Sequence, residues 1–341
     1  MTNIYDMPRD ELIEWLTSQN VKSFKAVQIY EWLYDKKVKS FDEMTNLKKE
    51  FIDILKDSFT IDELAIKRKQ ESETALKYLF ELKDGNFIEA VVMKHDYGTS
   101  VCVSSQIGCN MGCAFCESGR LKKVRNLLPG EIVGQLLKIE EDSGLKINSV
   151  VIMGIGEPFD NYENIIRFLK IVNDPKGLAI GARHITVSTS GLVPKIYEFA
   201  DFPLQINLAL SLHAPNDEIR SKIMKINEVY NIDTLMRAID HYIAKTNRRV
   251  TIEYVMLNGV NDTKECAYEL VNLLRGRNVY VNLIPYNETS HLEFHKSSQK
   301  RKDEFFEILN KNGITVTVRR EFGGTIDAAC GQLRANEVKD R

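Results

Sequence analysis

Three cysteines stand close together at Cys109, Cys113 and Cys116, in the spacing Cys-x3-Cys-x2-Cys. Thiols this near in sequence converge on something small, and thiolates are ligands of zinc and of iron–sulfur clusters. A structural zinc site normally takes four ligands. Here no further Cys or His follows until His184, so one coordination position would stay open, as a reactive centre requires. The competing readings are a zinc site and ordinary buried thiols.

Other residues have types suited to holding a polar small molecule. In Met153-Gly154-Ile155-Gly156-Glu157-Pro158 the glycines let backbone approach a ligand, and Glu157 could bind an ammonium group. Ser188, the run Ser211-Leu212-His213, and Asn287 could hydrogen-bond a ribose or a carboxylate. Taken singly, each is as well explained by a turn or a helix cap. Cys330 is flanked by Ala329 and Gly331, so little bulk shields its sulfur. Cys102 reads as a strand thiol, Glu89 as an exposed strand residue, and Cys266 as a helical core residue.

The elements that must position these groups are legible from periodicity. Residues 1–62 carry apolar residues at helical spacing, as in Leu12, Trp15 and Leu16, and read as a small helical domain. Residues 63–99 read as a β-rich connector, with Ala75–Leu82 and Phe87–Met93 joined by a Lys83-Asp84-Gly85-Asn86 turn. From 100 to 341, β-branched runs alternate with amphipathic helical stretches. This pattern predicts an α/β fold with a parallel sheet and its chemistry at the C-terminal strand ends. The number of units suits a partial (βα)6 barrel, with a doubly wound sheet as the alternative.

Composition narrows the class. The chain has 341 residues, 46 Lys and Arg against 48 Asp and Glu, and a net charge of −2. That balance offers no overall basic excess for nucleic acid, so any RNA contact must be local. Six cysteines are too few for a disulfide-stapled secreted scaffold. No apolar run approaches the ~18 residues of a membrane span, and the expected location is the cytoplasm. Local basic groups include Arg120, Lys122, Lys123 and Arg125 after the cysteine run, and Lys22, Lys25, Lys36, Lys37 and Lys39 in the helical domain.

The cysteine run, with Phe115 before its last thiol, resembles the radical S-adenosylmethionine superfamily. Longer stretches narrow the likeness to the RlmN/Cfr family of RNA adenine methyltransferases. These are 102–109, 151–161, 181–193, 211–216, 247–251, 282–285 and Ala328-Ala329-Cys330-Gly331-Gln332-Leu333. The likeness extends over essentially the whole chain. It implies that Cys109, Cys113 and Cys116 hold a 4Fe–4S cluster, at which S-adenosyl-L-methionine is cleaved to a 5′-deoxyadenosyl radical. Gly156, Glu157, Ser188, Ser211, Leu212, His213 and Asn287 would bind that cofactor.

Two molecules of S-adenosyl-L-methionine would be used per turnover, one of them to methylate Cys330. The methyl group would then add to an adenine carbon as a methylene radical. Cys102 would resolve the protein–RNA adduct through a disulfide, and Glu89 would accept the proton. The implied partners are 23S rRNA, tRNA and an electron donor such as flavodoxin or ferredoxin, with no membrane and a monomeric chain. Gly156-Glu157-Pro158 favours the branch acting at C2 of adenine over the antibiotic-resistance branch acting at C8. Glu117 departs from the family, which carries Ala or Ser after the third cysteine. A non-catalytic RNA-binding protein with a structural metal is the alternative from another class.

Overall fold

The computed structural model describes residues 1–289 and 291–320. Its centre is a ten-stranded sheet whose strands, numbered along the chain, lie side by side in sequential order. They are β1 (Ala65–Glu71), β2 (Ala75–Glu81), β3 (Phe87–His95), β4 (Gly98–Cys102), β5 (Ile147–Ile152), β6 (Ile185–Thr189), β7 (Asn207–Ser211), β8 (Val250–Met256), β9 (Val279–Pro285) and β10 (Val316–Val318). Pairings from β1 to β4 are antiparallel and those from β4 to β10 are parallel.

Sequential order decides between the two architectures. A doubly wound sheet reverses its strand order at a switch point, and this sheet has no reversal. It is the α/β arrangement of an open, partial barrel. The hairpins of the connector are not separate from it, because β3 pairs with β4 and continues the barrel sheet.

Helices cross between the parallel strands at Pro129–Ser143, Tyr162–Asn173, Val193–Phe199, Asp217–Ile223 with Ile232–Thr246, Lys264–Leu274 and Gln299–Lys311. Their ends follow from local chemistry. Pro129 opens the first, Glu131 accepts from the Leu128 N–H at 2.9 Å, and Gly144 closes it in the left-handed region. Asn216, Asn231, Thr263 and Ser298 accept bonds from the first turns of later helices. Strands covered by helices on one side and a packed interior on the other read as apolar runs. Val150, Ile152, Val187, Leu208, Leu210, Ile252, Val281 and Leu283 are all buried.

The N-terminal helices Arg9–Ser18, Lys25–Tyr30 and Lys49–Ser58 pack on this frame. The Gly130 N–H, in the first turn of the Pro129–Ser143 helix, donates to Asp6 at 2.8 Å. Lys37 pairs with Glu140, and Lys39 with Glu63 and Glu141. These two lysines therefore dock the helical domain, whereas Lys22 remains exposed and Lys25 is half-buried.

Candidate functional site

A cavity of about 360 Å³ opens at the C-terminal ends of the parallel strands, within the ~300–1,000 Å³ usual for small-molecule sites. Cys109, Cys113, Cys116, Gly156, Glu157, Ser188, Ser211, His213 and Asn287 all line it, and so does Cys102. Leu212 does not. Its side chain is buried in the core and its N–H donates to the Glu253 carbonyl at 3.1 Å. Glu89 lies just outside the lining. Cys330 lies outside the described residues.

The cysteine loop is folded back on itself. Cys109 N–H donates to Leu121 O at 3.0 Å, and Val124 N–H to Ile107 O at 2.7 Å. Gly108 permits this approach: its φ is +80°, and a Cβ there would stand 2.2 Å from Lys122 O. Ala114 N–H donates to Ile223 O at 2.9 Å, which ties the loop to the helix Asp217–Ile223.

The thiols crowd one another. Burial pushes Cys109 up to about 12, with the Glu157 and Cys116 charges adding to it. Burial also lifts Cys113 well above its ordinary value, reinforced by Cys116 and Cys109. Thiols that oppose each other's ionisation form a donor set that needs a cation to hold it as thiolates. The three thiols border one cavity, and a set of thiolates is the donor chemistry that iron–sulfur clusters take.

The turn after β5 is clamped to the strand before the cysteine loop. Gln106 accepts from the Glu157 N–H at 2.8 Å and donates to Asn126 and Asp160. The Glu157 carboxylate accepts from Phe159 N–H at 3.1 Å and from Ser190 N–H at 2.7 Å, joining two strand ends. Burial nonetheless raises its pKa, with those bonds pulling it back. Each oxygen retains acceptor capacity toward a cationic ligand.

Polar groups that sequence reasoning missed hold the other strand ends. Arg220 is wholly buried and donates to Ser190 O at 2.6 Å, Leu212 O at 3.2 Å and Asn227 Oδ1 at 3.0 Å. Burial lowers its pKa to about 10. Glu253 lines the cavity and accepts from Asn282 at 2.9 Å; burial raises its pKa and Arg319 opposes that rise. A charged residue inside the apolar run of β8 was the available signal. Glu117 is also buried and accepts from Arg120 and Thr289, with His291 Nδ1 3.1 Å away.

Comparison with known proteins agrees with this geometry. Residues 103–274 match the Radical SAM superfamily, and residues 2–61 match the ribosomal RNA large subunit methyltransferase N-terminal domain. The chain is 52% identical over 336 residues to the probable dual-specificity RNA methyltransferase RlmN of Acholeplasma laidlawii, covering 98% of this chain and 99% of that protein. The chain belongs to the RlmN family of radical S-adenosylmethionine RNA methyltransferases. A similarly named RlmN family protein of Streptococcus agalactiae is 54% identical over 346 residues, covering 99% and 94%. The crystal structure of a radical SAM methyltransferase from Sphaerobacter thermophilus matches with a TM-score of 0.91 at 42% identity, covering 97% of this chain and 99% of that one. Membership in the RlmN family implies a 4Fe–4S cluster and S-adenosyl-L-methionine. The donor set of the cysteine loop fits that cluster. No helix among the described residues is long and apolar enough to cross a membrane.

Proposed function

We propose that the chain methylates C2 of an adenine in 23S rRNA and of an anticodon-adjacent adenine in tRNA, with Cys330 as the methyl carrier. One observation carries this reading. Cys102 borders the same cavity as the three clustered thiols, and in register it faces Val91 on β3, the strand that holds Glu89 two residues away. Residues two apart on a strand share a face. That placement of Cys102 and Glu89 supports reading them as the resolving thiol and the base beside the cluster site. The relatives' name, dual-specificity RNA methyltransferase, supports a reading with more than one RNA target.

Cys109, Cys113 and Cys116 would hold the cluster, and Glu157, Ser188, Ser211, His213 and Asn287 the cofactor. When bound at that cluster, S-adenosyl-L-methionine supplies a carbon-centred radical, and a second molecule per turnover supplies the methyl group. His213 contributes a donor. Its Nδ1 accepts from Val255 N–H, so the neutral ring carries its proton on Nε2. Phe115 packs edge-on against this ring at 4.9 Å, joining the cysteine loop to the end of β7.

Cys330 holds the transferred carbon, so the electron-poor ring carbon need not act as a nucleophile. Glu89 takes the proton from the attacked carbon. Cys102 attacks the Cys330 sulfur as a thiolate, the sulfur–carbon bond to the base breaks with its electron pair on the methylene carbon, that carbon takes up a proton to become the methyl group, and a disulfide remains for cellular reductant to reset. An electron donor of the flavodoxin or ferredoxin type and a monomeric, cytoplasmic enzyme complete the proposal.

The test is methylation of rRNA and tRNA in parallel by the anaerobically reconstituted protein, with products mapped by mass spectrometry. The expected product is 2-methyladenosine in both RNAs. Finding 8-methyladenosine alone overturns the C2 assignment. Stoichiometric zinc without cofactor cleavage overturns the radical reading altogether.

A further inference from the structure

The concave wall beside Cys102 carries an ion pair that this mechanism leaves unused. Lys77 Nζ lies 3.1 Å from Glu89 Oε2. The two side chains are 0% and 3% exposed. Lys77 sits in the middle of β2, in the run Ala75-Leu76-Lys77-Tyr78-Leu79-Phe80, where every residue is buried. Lysine is almost never fully buried unless it is paired.

Register places this pair on the catalytic wall. Lys77 stands opposite Val91 on β3, and Val91 stands opposite Cys102 on β4. Directly opposed residues share a sheet face. Glu89 is two residues from Val91, so Lys77, Glu89 and Cys102 all belong to the face that borders the cavity. The Glu89 backbone is fixed as well: its carbonyl accepts from Ser104 Oγ at 2.6 Å, and the same hydroxyl accepts from Ile155 N–H at 3.1 Å.

Stability does not account for the pair. Removing two charges from water costs several kcal/mol per ion, and well-packed apolar residues of similar size usually serve a fold as well or better. What a buried lysine offers here is control of the carboxylate. An ammonium at hydrogen-bond distance restricts its rotamers. A carboxylate held in one orientation is what a base needs before it can take a proton from carbon.

We propose that Lys77 is the positioning residue for Glu89, holding its carboxylate aimed along the wall so that it accepts the proton of the adenine adduct. This rests on the reading of Glu89 as the base. The transferred proton goes to the carboxylate and the C–H electron pair stays with the adenine ring, whose surplus unpaired electron returns to the one-electron donor that initiated the radical. Lys77 itself forms and breaks no bond to substrate.

The experiment follows three signals in the reconstituted full chain: S-methylation of Cys330, the covalent protein–RNA adduct, and methylated RNA. Lys77→Met is expected to keep S-methylation, accumulate adduct, and lower product at least tenfold. Lys77→Arg, which keeps the charge, is expected to recover most of the product. In a Glu89→Gln background, Lys77→Met is expected to add no further loss, because the two act as one unit.

A Lys77→Met enzyme that turns over normally without adduct overturns the proposal. So does a further loss from Lys77→Met in the Glu89→Gln background. If Lys77→Met also abolishes S-methylation and Lys77→Arg does not restore product, the residue is structural and the proposal fails. Failure of the underlying reading looks different: Glu89→Gln itself would then form product at the normal rate.

Discussion

His213 Nδ1 accepts a hydrogen bond from the Val255 backbone N–H at 3.0 Å, so the ring is locked between the end of β7 and β8. The residue adopts φ +58°, in the left-handed region. Burial, with the Arg220 charge adding to it, pushes its pKa down from 6.5 to about 3. The ring is therefore neutral throughout the working range of the enzyme. Replacing it, as in His213→Ala, should weaken S-adenosyl-L-methionine binding by about tenfold, the value of one hydrogen bond. Equilibrium dialysis of the reconstituted protein measures this; unchanged affinity would remove His213 from the cofactor site.

The same group gives a pH dependence with a definite sign. The unfolded chain binds a proton on His213 below about 6.5, whereas the folded chain does so only near 3. Stability is therefore fully present above 6.5 and is lost as pH falls through that window. Denaturant melts of the cluster-free protein at stepped pH should show this acid limb, and it should flatten in His213→Gln.

Gly156 has φ +113°, and a Cβ on it would stand 2.6 Å from Gln106 Cβ and 2.7 Å from Ser105 Oγ. Strain and overlap act together in Gly156→Ala, at a cost of about 3 kcal/mol. The turn must also shift, carrying Glu157 with it. We expect a lower melting temperature and loss of cofactor binding from the same variant. A stable Gly156→Ala protein with normal affinity would show that the close approach is not required.

The cysteine loop was legible because its chemistry is local: the three thiols and Phe115 occupy one short run. The alternation from β4 to β10 was legible because each strand and helix announces its own period. The Lys77–Glu89 pair was not. It depends on the antiparallel register of β2 on β3, and sequence alone shows only two charged residues inside apolar strands. Arg220 was hidden for a similar reason, since its acceptors are backbone carbonyls at Ser190 and Leu212 on two other strand ends. Sequence alone also could not show that Lys37 and Lys39 pair with acids of the Pro129–Ser143 helix and with Glu63.

That docking can be tested. Lys37 lies 2.8 Å from Glu140, whose carboxyl also accepts from Ile147 N–H at 3.0 Å. Burial alone would raise the Glu140 pKa, but the Lys37 and Ile147 bonds outweigh it and bring it below the ordinary 4.5. The pair therefore stabilises the fold above that value, and its contribution disappears as pH falls below it. Lys37 is part-exposed and Lys146 still approaches Glu140, so Lys37→Gln should cost only about 1 kcal/mol at neutral pH. Chemical denaturation should show that loss at pH 7 and less of it at pH 4. An equal difference at both would mean the ion pair is not its source.

Under the proposed reaction, Cys102 and Cys330 divide the sulfur chemistry between them. Cys330→Ala should still assemble iron and sulfide and cleave S-adenosyl-L-methionine, because no cluster ligand is touched, yet it should transfer no methyl group to RNA. Cys102→Ala keeps the methyl carrier and removes only the attacking thiol. It should therefore proceed to the covalent adduct and stop, giving a protein–RNA band on denaturing gels that wild type does not accumulate. Cys266 provides the control. It is buried in the first turn of the Lys264–Leu274 helix, where its N–H donates to Thr263 Oγ1 at 3.3 Å, away from the cavity lining. Cys266→Ala should lose some stability, about 1 kcal/mol, and leave both adduct and product as in wild type. Normal turnover by Cys330→Ala, or no adduct from Cys102→Ala, would transfer these roles to other groups.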